Sequence, residues 1–419
     1  MQEKKEPFSL KKVILENGTE IFYKKVKGKE GQIRILLKAG GARYDPPGKE
    51  GCAHLLEHLI FKKTENFPHE FLMQKYALDN FLEFGASTSL ESLILGGGSI
   101  DNIENLLFIL REFLVYHKLE ERLLEKEKIV IAREMGNYQK IKVLAHIKLE
   151  AKKALFHNHS FSRIINPAGT LWALNSLKIE HLEEHKRKFF IAPNLSIIIL
   201  TPLPLKEIAP KVEGYLSLPK GEKITYPKPL NVFPKPSKNL ISYSFSEVTK
   251  TKKMKEMGDR LELLAVIPKS EISPGWNVIR RSLKQILLSE LRYRLFWSYD
   301  ISVVGFNYRD IYILDMKTSV PANKGIEAKD LIFEKILNFK KEEGIFNCFK
   351  KRRIYELENP IIFLSKIAEE ACIDIAVYDR VFTLKEAKEK TEDFGFREAT
   401  KLVEKWLNPD RFLVYILTP

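Results

Sequence analysis

Within the stretch GCAHLLEHLIFKKT, Gly51–Thr64, three side chains have the types and spacing that chemistry needs. His54, Glu57 and His58 stand at positions i, i+3 and i+4, so a helix through them presents all three on one face. The residues around them, Leu55, Leu56, Leu59, Ile60 and Phe61, are apolar. A helix this apolar is expected to be buried, where two imidazoles and a carboxylate without partners would cost several kcal/mol. A metal ion removes that cost. Two histidines one turn apart can both ligate Zn²⁺, and a glutamate beside them can take a proton from water on the metal.

A third ligand must come from elsewhere in the chain. Glu127 and Glu134, in EKEKIVIAREM, are two helical turns apart and address one site from a common face. Glu134 follows His58 by 76 residues. A second His-x-x-Glu-His run, at His181, Glu184 and His185, has Glu262 at 77 residues beyond it, so spacing alone does not dismiss it. Its neighbours Glu180, Glu183, Lys186, Arg187 and Lys188 read as a water-facing helix whose histidines need no metal. Lys255 stands where a glutamate seven residues before Glu262 would be. The first motif is therefore the candidate.

The elements that hold these residues follow from patterning. Val13–Leu15 and Thr19–Tyr23 flank Asn17-Gly18, a hairpin signal. Ile33–Leu37 reads as a strand, and Gly40-Gly41 breaks the chain before the histidine helix. Pro68 opens a second helix to about Leu78; Ala86–Leu95 alternates as a strand, with Gly96-Gly97-Gly98 as a strand-to-helix turn. No Lys-Ser/Thr follows the glycines, which excludes a phosphate loop. Helical patterns cover about Asp101–His117 and Glu120–Phe156. Leu195–Leu200 is a strand, after which eight prolines fall between Pro202 and Pro236, the composition of a linker. Strands Leu261–Ile267, Ile301–Phe306 and Ile311–Thr318, a helix about Trp276–Trp297, and a closing helix and strand Phe412–Leu417 complete the pattern. The halves end alike, PNLSIIILTP at Pro193–Pro202 and PDRFLVYILTP at Pro409–Pro419. We read two homologous α+β domains, each a mainly antiparallel sheet packed with helices: residues 1–220 with the metal motif, a linker over 221–240, and residues 241–419.

At these residues the sequence resembles the insulinase/pitrilysin family of zinc peptidases, inverted zincins that include the mitochondrial processing peptidases. The resemblance rests on His54, Glu57, His58, Glu127 and Glu134, with the flanks GCAHLLEHLIF, KAGGARYD and, in the second half, LRYRLFWSY. It implies one zinc per chain held by His54, His58 and Glu134, with Glu57 as general base and Glu127 orienting a ligand from behind. It also implies that an extended substrate adds to a strand whose motif, Asn-Ala-x-Thr in the family, is matched here by Gly85, Ala86, Ser87 and Thr88, with Gly85 replacing the asparagine. Arg292 and Tyr299 are seven apart, like the family's substrate-contacting pair, although the glycine-rich run usually before that arginine is replaced by RRSLKQILLSE. The implied function is a zinc endopeptidase that cuts unfolded or presequence-like peptides inside a chamber made from four such domains. A chain of two domains then pairs with its own copy or a related chain. The alternative is a scaffold subunit of a family heterodimer.

Composition narrows the setting. Hydrophobic residues are 44% and charged residues 30%, which is globular rather than disordered. The net charge of +14 is spread along the chain without a nucleic-acid motif, so it reads as a lysine-rich surface. Three widely spaced cysteines, Cys52, Cys348 and Cys372, argue against a disulfide framework and suit a reducing compartment. Neither a signal-peptide core nor a membrane span of about 20 apolar residues is legible. The expected location is cytoplasmic, or periplasmic if a leader has been removed.

Overall fold

Gly18 adopts φ +93° at the tip of the first hairpin, the left-handed turn that Asn-Gly favours. A computed structural model of the chain describes residues 8–139, 142–156, 159–163, 166–226, 236, 239–244, 258–360 and 363–419. In chain order the first elements are β1 (Lys11–Ile14), β2 (Glu20–Lys25), β3 (Gly31–Leu37), α1 (Cys52–Leu59), α2 (Glu70–Asp79), β4 (Leu82–Thr88), β5 (Leu93–Ser99) and α3 (Ile103–Leu114). They continue with α4 (Glu121–Gln139), α5 (Lys142–Phe156), α6 (Leu171–Ser176), α7 (Ile179–Phe189), β6 (Leu195–Thr201) and α8 (Leu205–Leu216). The rest are β7 (Leu240–Ser244), β8 (Asp259–Pro268), α9 (Trp276–Leu288), β9 (Ile301–Asn307), β10 (Ile311–Val320), α10 (Gly325–Leu337), α11 (Glu343–Glu358), α12 (Leu364–Tyr378), α13 (Leu384–Asp393), α14 (Phe396–Trp406) and β11 (Phe412–Thr418).

The strands form two sheets, ordered β1-β2-β6-β3-β5-β4 and β7-β11-β8-β10-β9. Each is antiparallel except for one parallel pair, β2 with β6 and β7 with β11. The terminal strands that looked alike in sequence, β6 and β11, occupy matching places beside those parallel partners. The fold is α+β with two mainly antiparallel sheets. In the first, Ile33, Ile35, Leu37, Leu93 and Leu95 pack against Leu55, Leu56 and Leu59 of α1 and Leu106, Leu107 and Leu110 of α3. In the second, Leu261, Leu263, Leu314 and Met316 pack against Ile279, Leu283 and Ile286 of α9.

The compact units are not sequential. The first comprises residues 1–140, 164–227 and 361–383; the second comprises 141–163, 228–360 and 384–419. Helix α12, far along the chain, belongs to the first unit, where it packs on β3 and β6. Helix α5 belongs to the second unit. A split at 220 and 240 therefore misassigns two helices, because contiguity in sequence is all that composition can follow. Residues 227–235 and 237–238 of the proline-rich linker lie outside the described residues.

Two local readings change. Gly96, Gly97 and Gly98 lie inside β5, not in a turn, and Leu82–Thr88 and Leu93–Ser99 are the two arms of a hairpin rather than one strand. A Cβ at Gly96 would lie 2.4 Å from the Ile33 carbonyl oxygen, so close strand packing selects glycine there. Helices α4 and α5 fall within the pattern read over Glu120–Phe156, and residues 140–141 lie outside the described residues. All three cysteines are free thiols. Among the described residues no helix is long and apolar enough to cross a membrane.

Candidate active site

Helix α1 begins at Gly51, which takes φ +103° and where a Cβ would meet the Ala168 carbonyl oxygen at 2.4 Å. Gly51 has no side chain to cap the helix. Asp45 does this from six residues upstream: its carboxylate accepts the Gly51 N–H at 2.8 Å and the Ala53 N–H at 3.0 Å. A carboxylate there also meets the positive end of the helix dipole. Nearby, Arg43 and Glu91 form a buried ion pair at 2.8 Å. The flank KAGGARYD thus anchors the start of the histidine helix, a role its sequence did not disclose.

From that helix, His54 and His58 turn toward α4. Their Nε2 atoms lie 3.4 and 3.7 Å from one oxygen of Glu134, and the three ligand atoms fall within 4.8 Å of one another. Each ring turns its other nitrogen to a carboxylate. His54 Nδ1 lies 3.3 Å from Glu57 Oε2, and His58 Nδ1 donates to Glu127 Oε2 at 3.1 Å. Lys62 in turn lies 3.3 Å from Glu127 Oε1 and 2.8 Å from Glu70. Glu127 is buried while the Glu134 side chain is 58% exposed. One glutamate thus backs a histidine and the other is exposed to solvent.

The donor chemistry fits a divalent ion. Two imidazole nitrogens and a carboxylate oxygen converge, and the Glu127 carboxylate behind the His58 ring favours the tautomer that leaves its Nε2 free to ligate. Burial alone would raise the Glu57 carboxyl, but His54 and the Thr88 hydrogen bond outweigh it and hold it below the ordinary range. Burial would likewise raise Glu127, and His58 and Lys62 outweigh that. Burial lowers His54, and the Glu57 and Glu134 carboxylates more than reverse it.

A second cluster, Asp45, Cys52 and His185, also comes within 4.8 Å. We assign no metal to it, because burial keeps the Cys52 thiol protonated and Asp45 is engaged by backbone N–H groups. Asp45 holds the α1 backbone, His185 Nε2–H donates to the Gly40 carbonyl at 3.0 Å, and the Cys52 thiol contacts the His181 carbonyl at 3.6 Å. This corrects the expectation that α7 faces water throughout. His185, Leu182 and Phe189 are buried on its inner side, and only the charged side of the helix meets solvent.

β4 is one of the two outer strands of the first sheet, and it carries Gly85, Ala86, Ser87 and Thr88. Thr88 Oγ1 donates to Glu57 Oε2 at 2.9 Å, a link between strand and helix that the sequence did not reveal. Nothing lies within 4 Å of a Cβ placed on Gly85. Arg292 and Tyr299 lie in the second unit, where α9 runs into a π-helical turn, Ser289–Arg294. The Arg292 guanidinium sits 4.6 Å from the Tyr299 ring centroid and 5.4 Å from that of Tyr293. Tyr299 is exposed, and Phe296 takes φ +56° in the loop between them.

Fold and site define the class: a two-sheet α+β chain with a His-His-Glu cluster beside a further carboxylate, Glu57. Residues 24–168 match the family model described as insulinase (peptidase family M16). The chain is 26% identical over 226 residues to an uncharacterized zinc protease of Rickettsia bellii, the match covering 53% of each. It is 26% identical over 194 residues to a probable mitochondrial-processing peptidase subunit beta of Arabidopsis thaliana, covering 45% of this chain and 35% of that one. The matched stretches thus span about half or less of these curated relatives. A solved protease from Helicobacter pylori superposes with TM-score 0.83 at 17% identity, covering 98% of this chain and 100% of that one, a likeness of fold. Over residues 24–168 the chain is thus similar to the insulinase family of peptidases.

Proposed function

We propose that the chain is a zinc endopeptidase that cuts unfolded or presequence-like peptides. The observation that carries this is the convergence of His54 Nε2, His58 Nε2 and Glu134 on one point with Glu57 alongside. These three residues would hold one zinc, which when bound supplies Lewis-acid polarisation of a carbonyl and acidifies a water. Glu57, held ionised, takes the proton at its carboxylate and later returns it to the leaving amine. Glu127 keeps the His58 ring in register. Gly85, Ala86, Ser87 and Thr88 offer the backbone edge of β4 to an extended peptide. Arg292 and Tyr299 supply a guanidinium and a hydroxyl that contact substrate and offset negative charge on its carbonyl oxygen.

A chamber of four domains, completed by a second copy or a related chain, would limit substrates to unfolded segments. The domain division proposed for this role follows the compact units rather than the linker. In the test, Glu57→Gln retains stoichiometric zinc and loses peptidase activity by about 10³-fold or more, while Glu134→Gln loses zinc. An active Glu57→Gln enzyme overturns the base assignment. Zinc-loaded wild-type protein that cuts no unstructured peptide favours the scaffold reading.

A further inference from the structure

Thr88 belongs to the segment offered above to substrate, yet its side chain is engaged elsewhere. Along β4 the side chains alternate. Phe84 faces α1 and stacks on Phe61 at 5.8 Å, and Thr88, four residues on, faces the same way. Its hydroxyl donates to Glu57 Oε2 at 2.9 Å. The same oxygen lies 3.3 Å from His54 Nδ1, so both polar contacts of this carboxylate fall on one atom. Among the described residues, Glu57 Oε1 carries no hydrogen bond.

We propose that Thr88 is a positioning residue that fixes the Glu57 carboxylate so that Oε1 is the oxygen that accepts and returns the proton. The inference rests on the peptidase reading above and adds a coupling to it. The strand whose outer edge would pair with the peptide backbone also carries, on its inner face, the hydroxyl that aims the base. Seating a peptide on β4 and aligning Glu57 then depend on one strand. Without the hydroxyl, the carboxylate turns about its last torsion, which is broad for glutamate, and the base is misaligned while the edge of β4 is unaltered.

Thr88→Val tests this, since it replaces the hydroxyl by a methyl and suits a strand. Against an unstructured peptide, kcat should fall about tenfold or more with KM within about twofold, because the lost contact acts only in the reacting geometry. Zinc content should stay at the wild-type value, and binding of the same fluorescent peptide to metal-free protein should be unchanged. Thr88→Ser, which keeps the hydroxyl, should recover most of kcat. A wild-type kcat in Thr88→Val overturns the proposal. A raised KM and weakened peptide binding at unchanged kcat overturn it too, assigning Thr88 to substrate contact. If wild-type protein itself cuts nothing, the peptidase reading fails, and crystal structures decide the tether separately. A Glu57 carboxylate in the same position in wild type and Thr88→Val would then overturn the positioning role.

Discussion

His117 and His185 are buried, and burial is the main cause that pushes them down from 6.5, to about 3 and about 4. Both are neutral in the fold and bonded to backbone carbonyls, of Phe113 at 2.7 Å and Gly40 at 3.0 Å. The unfolded chain takes up these protons near pH 6.5, whereas the folded chain resists until about pH 4 and then 3, so the unfolded state binds more protons in that window. Stability is therefore unaffected by these groups above pH 6.5 and falls as the pH drops below it, by on the order of a few kcal/mol in total. Urea midpoints between pH 4 and 7 should show this slope, and His185→Gln should flatten it while lowering stability at pH 7. His185→Gln should also leave zinc content at one per chain, which separates the buried histidine of α7 from the site on α1. From sequence, His185 read as solvated because charged residues flank it. A helix with only three apolar residues in eleven still has an inner side, and Leu182 and Phe189 mark it at i−3 and i+4.

At the scale of elements, the placement of the two histidines depends on how α1 starts. Asp45→Ala removes a carboxylate that caps two backbone N–H groups, and loss of such a cap costs about 1–2 kcal/mol. We expect a lower urea midpoint and weaker zinc retention against a chelator, since His54 lies three residues into the helix. Asp45→Asn, which keeps one acceptor oxygen, should fall between. The histidine helix was legible because its apolar positions and its motif share one period. Its cap was not, since Asp45 reaches it through a loop rather than from the position before the helix. The hairpin of β4 and β5 was also missed. Ala86–Leu95 reads as one alternating strand straight through the turn at Ser89–Ser92, and glycine inside a strand mimics a turn. Glycine reads as a breaker until the neighbouring strand is known to press on it.

For the whole molecule, the exchange of α5 and α12 between the units decides what can be cut apart. Ile367, Ala368, Ala371, Cys372 and Ile375 of α12 are buried, and α12 lies on β3 and β6. A fragment ending at residue 226 lacks this cover. We expect it to aggregate or melt well below the full chain, and a synthetic peptide of residues 361–383 to restore a cooperative melt. A fragment as stable as the full chain would contradict this. Within the intact chain, Tyr299→Phe should lower kcat by about 10²-fold with zinc occupancy unchanged, if its hydroxyl donates to the developing oxyanion. A wild-type rate would make the second unit scaffold alone. Two halves, two matching sheets and matching final strands could be read in sequence, because duplication leaves the same apolar runs. The exchange could not, since no residue of α5 or α12 announces which sheet it will cover.

That exchange also orders events during synthesis. The ribosome releases β1–β6 and α1–α4 long before residue 364 exists, so the first sheet leaves the exit tunnel with one face still bare. It must stay uncovered, or be shielded by another protein, while roughly 140 further residues are translated at about 5–20 per second, an interval of roughly 7–28 seconds. Synonymous codon changes that slow translation between residues 227 and 363 should therefore lower the soluble yield without altering a single amino acid.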